Sequence, residues 1–252
     1  MKTFNLLDVK VSVTDLGQAA SEISQWIHDK TKTYVCVAPV ATIVDAYKDP
    51  AYLKVINEAG MVTPDGVPLV WAGRLKGEKN IKRTCGPDLM RLVCGEGVDR
   101  GYKHFLYGAD DSTRQKLIDN LKMLCPGINI TGSFSPGYLK VGEKESAAVI
   151  DQINAAGADI LWIGLGSPKQ DFWMANHRGD INVPVMVGVG AAFDFLAGVK
   201  KRAPVWMRQA GLEWFFRLCS EPKRLWKRYL YGNTLFVWLF FKEMIRSHEK
   251  KN

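Results

Sequence analysis

Residues 160–170 read Ile-Leu-Trp-Ile-Gly-Leu-Gly-Ser-Pro-Lys-Gln. A continuous apolar run that passes through Gly164 and Gly166 into a polar helix start is typical of a strand buried in a parallel sheet. Lys169 stands where the dinucleotide-binding pattern has its third glycine, so that pattern is not matched. Backbone N–H groups of this loop could face a diphosphate, or the two glycines could only allow close packing of helix on strand.

Similar apolar runs occur elsewhere in the chain, with helical patterns such as 111–124 and 143–156 between them. The other runs cover 34–37, 104–107, 128–131 and 183–189. Gly108, Gly164 and Gly190 each follow one of them. We therefore predict an α/β fold, with an open, mostly parallel sheet in Rossmann-like halves and ligand loops at the carboxyl ends of the strands.

The pattern changes near residue 198, where the strands stop. We predict an α/β catalytic body over 1–198 and a basic, aromatic, helical tail over 199–252. The net charge of +8 lies in the tail: residues 200–252 hold 13 basic and 4 acidic residues, whereas the rest of the chain holds 21 and 22. Such asymmetry indicates a polyanionic partner.

Within the tail, residues 222–230 have the pattern of a basic amphipathic helix. Its predicted apolar face contains Leu225, Trp226, Tyr229 and Leu230, and its basic face contains Lys223, Arg224, Lys227 and Arg228. Such a helix suits the surface of an anionic bilayer. A helix packed on the body, with its basic face in water, fits the same pattern.

A short loop, Thr63-Pro64-Asp65-Gly66, follows a predicted strand end and projects one carboxylate. Asp65 is a candidate general base, although Pro-Asp-Gly also favours a plain turn. Arg83 precedes a capped helix and suits phosphate, or it is a surface arginine. Asp194 could bind a sugar or a base, or cap a helix. Tyr138 could stack on a base, or close its loop onto the core.

Several classes of site are not indicated. The four histidines form no cluster and no Asp-x-Asp pair occurs, so we expect no metal and no cofactor. The five cysteines are odd in number and widely spaced, which predicts reduced thiols rather than disulfides. Residues 1–15 lack the apolar stretch of a signal peptide, and no apolar run reaches the roughly 18 residues of a spanning helix. These features predict a cytoplasmic protein.

Taken together, the loops resemble the WecG/TagA/CpsF glycosyltransferases. The similarity covers nearly the whole chain and includes the tail segment 217–225. The matching motifs are Thr63-Pro64-Asp65-Gly66, Arg83-Thr84-Cys85-Gly86-Pro87-Asp88-Leu89, Gly164-Leu165-Gly166-Ser167-Pro168-Lys169-Gln170, Gly188-Val189-Gly190-Ala191-Ala192-Phe193-Asp194 and Arg202-Ala203-Pro204.

The resemblance implies an inverting, metal-independent transfer of a sugar, often of the N-acetylmannosamine type. The donor would be a UDP-sugar and the acceptor a sugar linked to polyprenyl diphosphate, in the synthesis of bacterial surface polysaccharide or teichoic acid. It implies that Asp65 is the base. It also implies a peripheral position at the cytoplasmic face of the membrane. The residues expected to bind substrate are Thr42, Gly66, Arg83, Gly108, Tyr138, Gly164, Gly166, Gln170, Asp194, Arg217, Arg224 and Arg228.

One departure from the family pattern concerns the segment after the first core strand. Many relatives carry Asn there, whereas this chain has Pro39, which cannot donate a hydrogen bond. We expect Thr42 to compensate. The donor therefore stays open between N-acetylmannosamine, a uronic acid and a plain hexose. A nucleic-acid-binding protein is the alternative from another class, but we expect no nucleic-acid partner; a homo-oligomer is compatible with the sequence.

Overall fold

The computed structural model of this chain describes residues 1–249, without the side chains of Arg228 and residues 247–249. Its centre is a six-stranded sheet in which every pairing is parallel. The strands are β3 (Thr33–Ala38), β4 (Met61–Pro64), β5 (Lys103–Gly108), β6 (Asn129–Phe134), β7 (Ile160–Gly164) and β8 (Val185–Gly188). The predicted parallel α/β fold is confirmed, and each predicted run overlaps one of these strands.

Helices cover both faces of the sheet, which explains why its central strands are apolar along their whole length. β3, β4 and β8 are buried at every position. The body helices are α1 (Leu16–His28), α2 (Val40–Lys48), α3 (Pro50–Asn57), α4 (Val67–Leu75), α5 (Gly86–Asp99), α6 (Asp111–Leu124), α7 (Ala147–Ala155), α8 (Lys169–His177) and α9 (Ala192–Leu196). Side chains alternate into two core clusters, one on each face.

One helix boundary differs from the prediction. The pattern over 143–156 indicated a helix, but α7 begins only at Ala147. The preceding acidic residues make side-chain hydrogen bonds instead. Glu143 accepts a hydrogen bond from the backbone N–H of Lys140 at 2.7 Å, and Glu145 accepts one from the hydroxyl of Tyr107. These side-chain bonds hold the segment in a turn, in competition with a helix.

A small antiparallel hairpin, β1 (Thr3–Leu6) and β2 (Val9–Ser12), precedes the sheet and was not predicted. Leu7 and Asp8 form its turn with positive φ angles of 51° and 65°. Ser12 fixes the hairpin to the body, because its hydroxyl accepts a hydrogen bond from the backbone N–H of Val62 at 3.1 Å. Each of its strands alternates over only four residues, the shortest length at which alternation indicates a strand.

The strand order, β4-β3-β8-β7-β5-β6, places the first and last strands of the sheet side by side. From β3 the chain moves outward to the edge strand β4. It then crosses to β5 and the opposite edge strand β6, and returns through β7 to β8. The direction of winding therefore changes beside β3. In open α/β sheets, the crevice outside the carboxyl ends of the strands at such a point is where ligands bind.

The tail is helical, as predicted. It comprises α10 (Val205–Gln209), α11 (Glu213–Ser220), α12 (Pro222–Trp226), a π-helical turn (Lys227–Tyr231) and α13 (Gly232–Glu249). α13 returns to the body and packs against α2, where Phe236, Leu239 and Phe240 join the main core cluster. The end of the tail therefore contributes to the core. The division at residue 198 stays a prediction.

The predicted apolar face of residues 222–230 is not one continuous face. Leu225 is buried, whereas Trp226 is 48% and Leu230 61% exposed. The π-helical turn rotates the later side chains away from the direction that a regular helix would give them. Among the described helices, none is long and apolar enough to cross a membrane.

Candidate functional site

Asp65 lies at the carboxyl end of β4, in the crevice that the topology predicts. Its backbone N–H donates to the carbonyl of Ala38 at the end of β3, at 3.1 Å. Pro64 accepts a hydrogen bond from the N–H of Thr84 at 2.9 Å. α4 begins directly afterwards, with Gly66 as its N-cap residue. The Asp65 loop is thus tied to two neighbouring segments, and its carboxylate is held at the mouth of the crevice.

The crevice is a pocket between this sheet edge and the tail. Its empty space is about 920 Å³, including the part that is open to solvent. Asp65, Gly66, Arg83 and Arg217, all predicted to be site residues, line it together. The other lining residues are Pro39, Val40, Ala41, Val67, Pro68, Cys85, Pro87, Phe195, Arg202, Gly211, Glu213, Trp214, Tyr229 and Asn233. Body and tail therefore build this site jointly.

Arg83 connects the Asp65 loop to the tail. Its Nε donates to the backbone carbonyl of Asp65 at 2.6 Å, and one terminal nitrogen lies 2.6 Å from Glu213 of α11. The same nitrogen lies 3.5 Å from Oδ1 of Asp65. The guanidinium group thus binds the main chain of the loop and the tail carboxylate closely, and the Asp65 carboxylate more loosely.

The pKa of Asp65 is raised above its ordinary value of 3.8, chiefly because the surrounding protein excludes water from the charged form. The positive charge of Arg83 opposes this rise, and Glu213 adds to it. A quarter of the side chain is still exposed to the pocket. A carboxylate that is accessible, largely desolvated and more basic than usual can act as a general base.

A second set of charges continues from Glu213 into α5. Arg202 lies 3.5 Å from Glu213 and binds both carboxylate oxygens of Asp88, at 2.5 and 3.2 Å. These bonds lower the pKa of the Asp88 carboxyl even though burial alone would raise it. Arg208 is 3.9 Å from Asp88. Charges therefore alternate in sign from Asp65 to α5.

Arg217 is the tail residue best placed to receive an anion. It lines the pocket, and its guanidinium carbon lies 5.4 Å from the centre of the Phe195 ring. Its Nε is buried and has no hydrogen-bond partner within the described part of the chain. A buried donor without a partner costs free energy, and the role of Arg217 in binding an anion stays a prediction.

The glycine-rich loops lie at the carboxyl ends of β5, β7 and β8 and do not line this pocket. Gly108 and Gly164 are opposite each other in the sheet. A Cβ atom on Gly164 would lie 2.5 Å from the ring of Phe193, so close packing requires glycine there. Gln170 is buried, and its Oε1 accepts a hydrogen bond from the N–H of Gly166 at 3.0 Å.

Four further predicted binding residues, Thr42, Tyr138, Asp194 and Arg224, do not line this pocket. Thr42 is buried on α2, and its hydroxyl has no partner among residues 1–249. Tyr138 is 82% exposed, with Nζ of Lys169 4.0 Å from its ring centre. Asp194 pairs with Lys200 at 2.7 Å, and Arg224 with Glu221 at 2.6 Å. The side chain of Arg228 lies outside the described residues. These assignments stay predictions.

Sequence reasoning missed Glu213 as a site residue, together with Trp214, Tyr229 and Asn233. Glu213, Trp214 and Asn233 belong to no recognisable motif, and Tyr229 is predicted only as part of the apolar face of residues 222–230. All four line the pocket because the tail folds over the sheet edge. Arg202 had a signal, because Arg202-Ala203-Pro204 was one of the motifs quoted, but no role followed from it. Within the described residues, no group of three His, Cys, Asp or Glu side chains could hold a metal ion.

Comparison with known proteins agrees with the resemblance. The model of the glycosyl transferase WecG/TagA/CpsF family matches residues 4–250. The curated relatives include N-acetylglucosaminyldiphosphoundecaprenol N-acetyl-beta-D-mannosaminyltransferases from three organisms. The Bacillus subtilis (strain 168) protein is 34% identical over 73% of this chain and 70% of its own length. The Bacillus spizizenii protein is 31% identical over 86% of each chain, and that of Staphylococcus aureus (strain MRSA252) is 27% identical over 88% and 86%. The chain belongs to the WecG/TagA/CpsF family of glycosyltransferases.

Proposed function

We propose that this glycosyltransferase transfers an N-acetylmannosamine-type sugar from a UDP donor to an N-acetylglucosamine carried on polyprenyl diphosphate. The names of the curated relatives supply the substrate class. The observation that carries the proposal is the pocket in which Asp65 lies with three guanidinium groups, one from the body and two from the tail. A base beside cationic groups is what displacement of a nucleoside diphosphate requires.

In the proposed reaction, Asp65 accepts the proton of the acceptor hydroxyl. The acceptor oxygen forms a bond to the anomeric carbon while the bond from that carbon to the β-phosphate oxygen of UDP breaks. One displacement of this kind inverts the anomeric centre. The raised pKa of Asp65 supports the assignment, because a more basic carboxylate removes the hydroxyl proton more effectively.

Charge on the departing UDP would be stabilised without a metal in this proposal. Arg217 brings a positive charge from the tail to the pocket that contains Asp65. Arg83 is a weaker candidate for direct phosphate contact, because Asp65 and Glu213 already occupy its nitrogens. Arg224 and Arg228, and the loop of Gly164 and Gly166, stay predicted binding elements for the donor and acceptor diphosphates.

We propose further that the tail docks on an anionic membrane, where the lipid-linked acceptor resides. α13 turns one apolar face into the core and leaves another in solvent, and Trp238, Phe241 and Ile245 on that outer face are about 60% exposed. Lys242 accompanies them, with Nζ 4.9 Å from the ring centre of Trp238. Exposed aromatic residues beside lysine suit the headgroup region of a bilayer. Membership of the family favours this partner over nucleic acid.

The function is tested by mixing the full chain with a short-chain polyprenyl-diphosphate N-acetylglucosamine acceptor and one UDP-sugar at a time. We expect UDP release that depends on the acceptor and is fastest with UDP-N-acetylmannosamine. Mass spectrometry and NMR of the product would show one added sugar in an inverted linkage. Faster transfer from a UDP-uronic acid or UDP-hexose would replace the donor assignment. No transfer from any UDP-sugar would refute the proposal.

A further inference from the structure

Glu213 is the first residue of α11 and belongs to the tail, yet its carboxylate is part of the pocket. Its side chain is only 10% exposed. Two guanidinium groups hold it, Arg83 at 2.6 Å and Arg202 at 3.5 Å. A carboxylate this buried is stable only when cations neutralise it. The position of Glu213 is therefore fixed by Arg83, which precedes α5, and by Arg202, which precedes α10.

The contacts of Arg83 show how Glu213 affects the carboxylate of Asp65. The close charged contact of Arg83 is with Glu213, whereas its contact with the carboxylate of Asp65 is 3.5 Å. Attraction between charges grows as their separation falls, so Arg83 neutralises Glu213 more effectively than Asp65. Without Glu213, the same guanidinium nitrogen would be free to close on Asp65 and make it a weaker base.

The charged groups that face Asp65 come from two elements besides its own loop. Arg83 and Arg217 are positive and stabilise its ionised form, whereas Glu213 is negative and opposes ionisation. Cys85 also faces it, but burial raises the pKa of that thiol well above neutrality, so it carries no charge. Glu213 is therefore the one carboxylate among these neighbours that keeps the affinity of Asp65 for protons high.

We propose that Glu213 is a positioning residue for the base, which holds Arg83 on the main chain of the Asp65 loop and away from the Asp65 carboxylate. This inference rests on the glycosyl transfer proposed above. It assigns the tail a part in the proton transfer itself, in addition to any contact with the lipid-linked acceptor or the membrane.

The test is the pH dependence of kcat/KM for Glu213→Gln, which has nearly the shape of glutamate without its charge. Removal of the like charge lowers the pKa of Asp65, so the acidic limb of the profile should move to lower pH. The turnover at neutral pH should fall about tenfold, because the base is weaker and its loop less firmly held. Glu213→Asp, which withdraws the carboxylate by one methylene, should give a smaller shift in the same direction.

Glu243→Gln is the matched control, since it removes a tail glutamate that pairs with Lys76 at 2.7 Å outside the pocket. Its acidic limb should coincide with that of the wild type. A lower melting temperature and lower turnover in Glu213→Gln, with an unmoved limb, would mean that Glu213 is merely structural. If Glu213→Gln does not fold, an unmoved limb in Glu213→Asp would overturn the inference equally.

Asp65→Asn separates this inference from the function on which it rests. Near-wild-type turnover in Asp65→Asn would remove the base itself, and the role of Glu213 with it. An inactive Asp65→Asn together with an unmoved limb in both Glu213 variants would leave the proposed function standing and refute only the positioning role.

Discussion

Replacing Asp65 with asparagine should remove the base and leave the site otherwise intact. Asparagine has the same shape, and the 2.6 Å hydrogen bond from Arg83 goes to the backbone carbonyl of residue 65, which the substitution keeps. A positioned general base contributes about 10²–10⁴ to a rate, or about 3–5 kcal/mol of barrier. We therefore expect kcat to fall by a factor in this range while the dissociation constant of the UDP-sugar changes little.

The free energy of unfolding of Asp65→Asn should be slightly higher than that of the wild type or nearly the same. The raised pKa of Asp65 means that its charged form is unfavourable in the folded protein at neutral pH, and asparagine removes that cost. The contact that is lost, at 3.5 Å to a partly exposed carboxylate, is worth at most about 1 kcal/mol. For a chain of 252 residues this limits the change in melting temperature to about 4 °C.

The pH dependence gives an independent check. A base acts only when deprotonated, so wild-type kcat/KM should fall as the pH is lowered through the pKa of Asp65. Since that pKa is raised, the acidic limb should lie above pH 3.8, the ordinary value for an aspartic acid. UDP release measured across pH for both proteins tests this. Turnover of Asp65→Asn within about threefold of wild type would refute the base role, whose loss should cost far more.

Three further outcomes can be measured. Arg217→Ala should lower kcat/KM for the UDP-sugar about tenfold, because one charge-assisted contact with the departing UDP is lost. Initial rates at varied donor concentration would show an unchanged kcat/KM if Arg217 does not bind phosphate. Trp238→Ser combined with Phe241→Ser should weaken co-sedimentation with anionic liposomes more than tenfold, and equal sedimentation would exclude this face from membrane docking. Phe240→Ala, at a buried position, should lower the free energy of unfolding by about 3–5 kcal/mol, whereas Phe241→Ala, at an exposed position, should change it by about 0.5 kcal/mol or less. Equal losses of the two variants in denaturant titrations would contradict the packing of α13.

The packing of α13 also affects how the tail can be studied. Deleting residues 199–252 would remove Phe236, Leu239 and Phe240 from the main core cluster. Any loss of membrane binding or activity in such a truncation would be mixed with a loss of stability. Substitutions of exposed residues on α13 avoid this, because they leave the buried face of the helix in place.

The sequence alone determined the type of fold. Apolar runs such as 160–163, followed by glycine and separated by helical patterns, are typical of strands buried on both faces of a parallel sheet that helices cover, and this follows from composition and period. The resemblance also identified Asp65 as the candidate base, and it predicted that the motif around Arg83 belongs to the same cleft. These features are local, since each is contained in a few consecutive residues.

Only the tertiary structure decided which residues share the pocket. Glu213 and Arg83 are 130 positions apart in the chain, and no local pattern relates them. They meet because α11 lies over the carboxyl edge of the sheet and α13 anchors the tail in the core. The same packing turned Leu225 inward and left Trp226 exposed, since the shape of the body on which the tail packs, rather than helical periodicity, determines which of these side chains reach solvent.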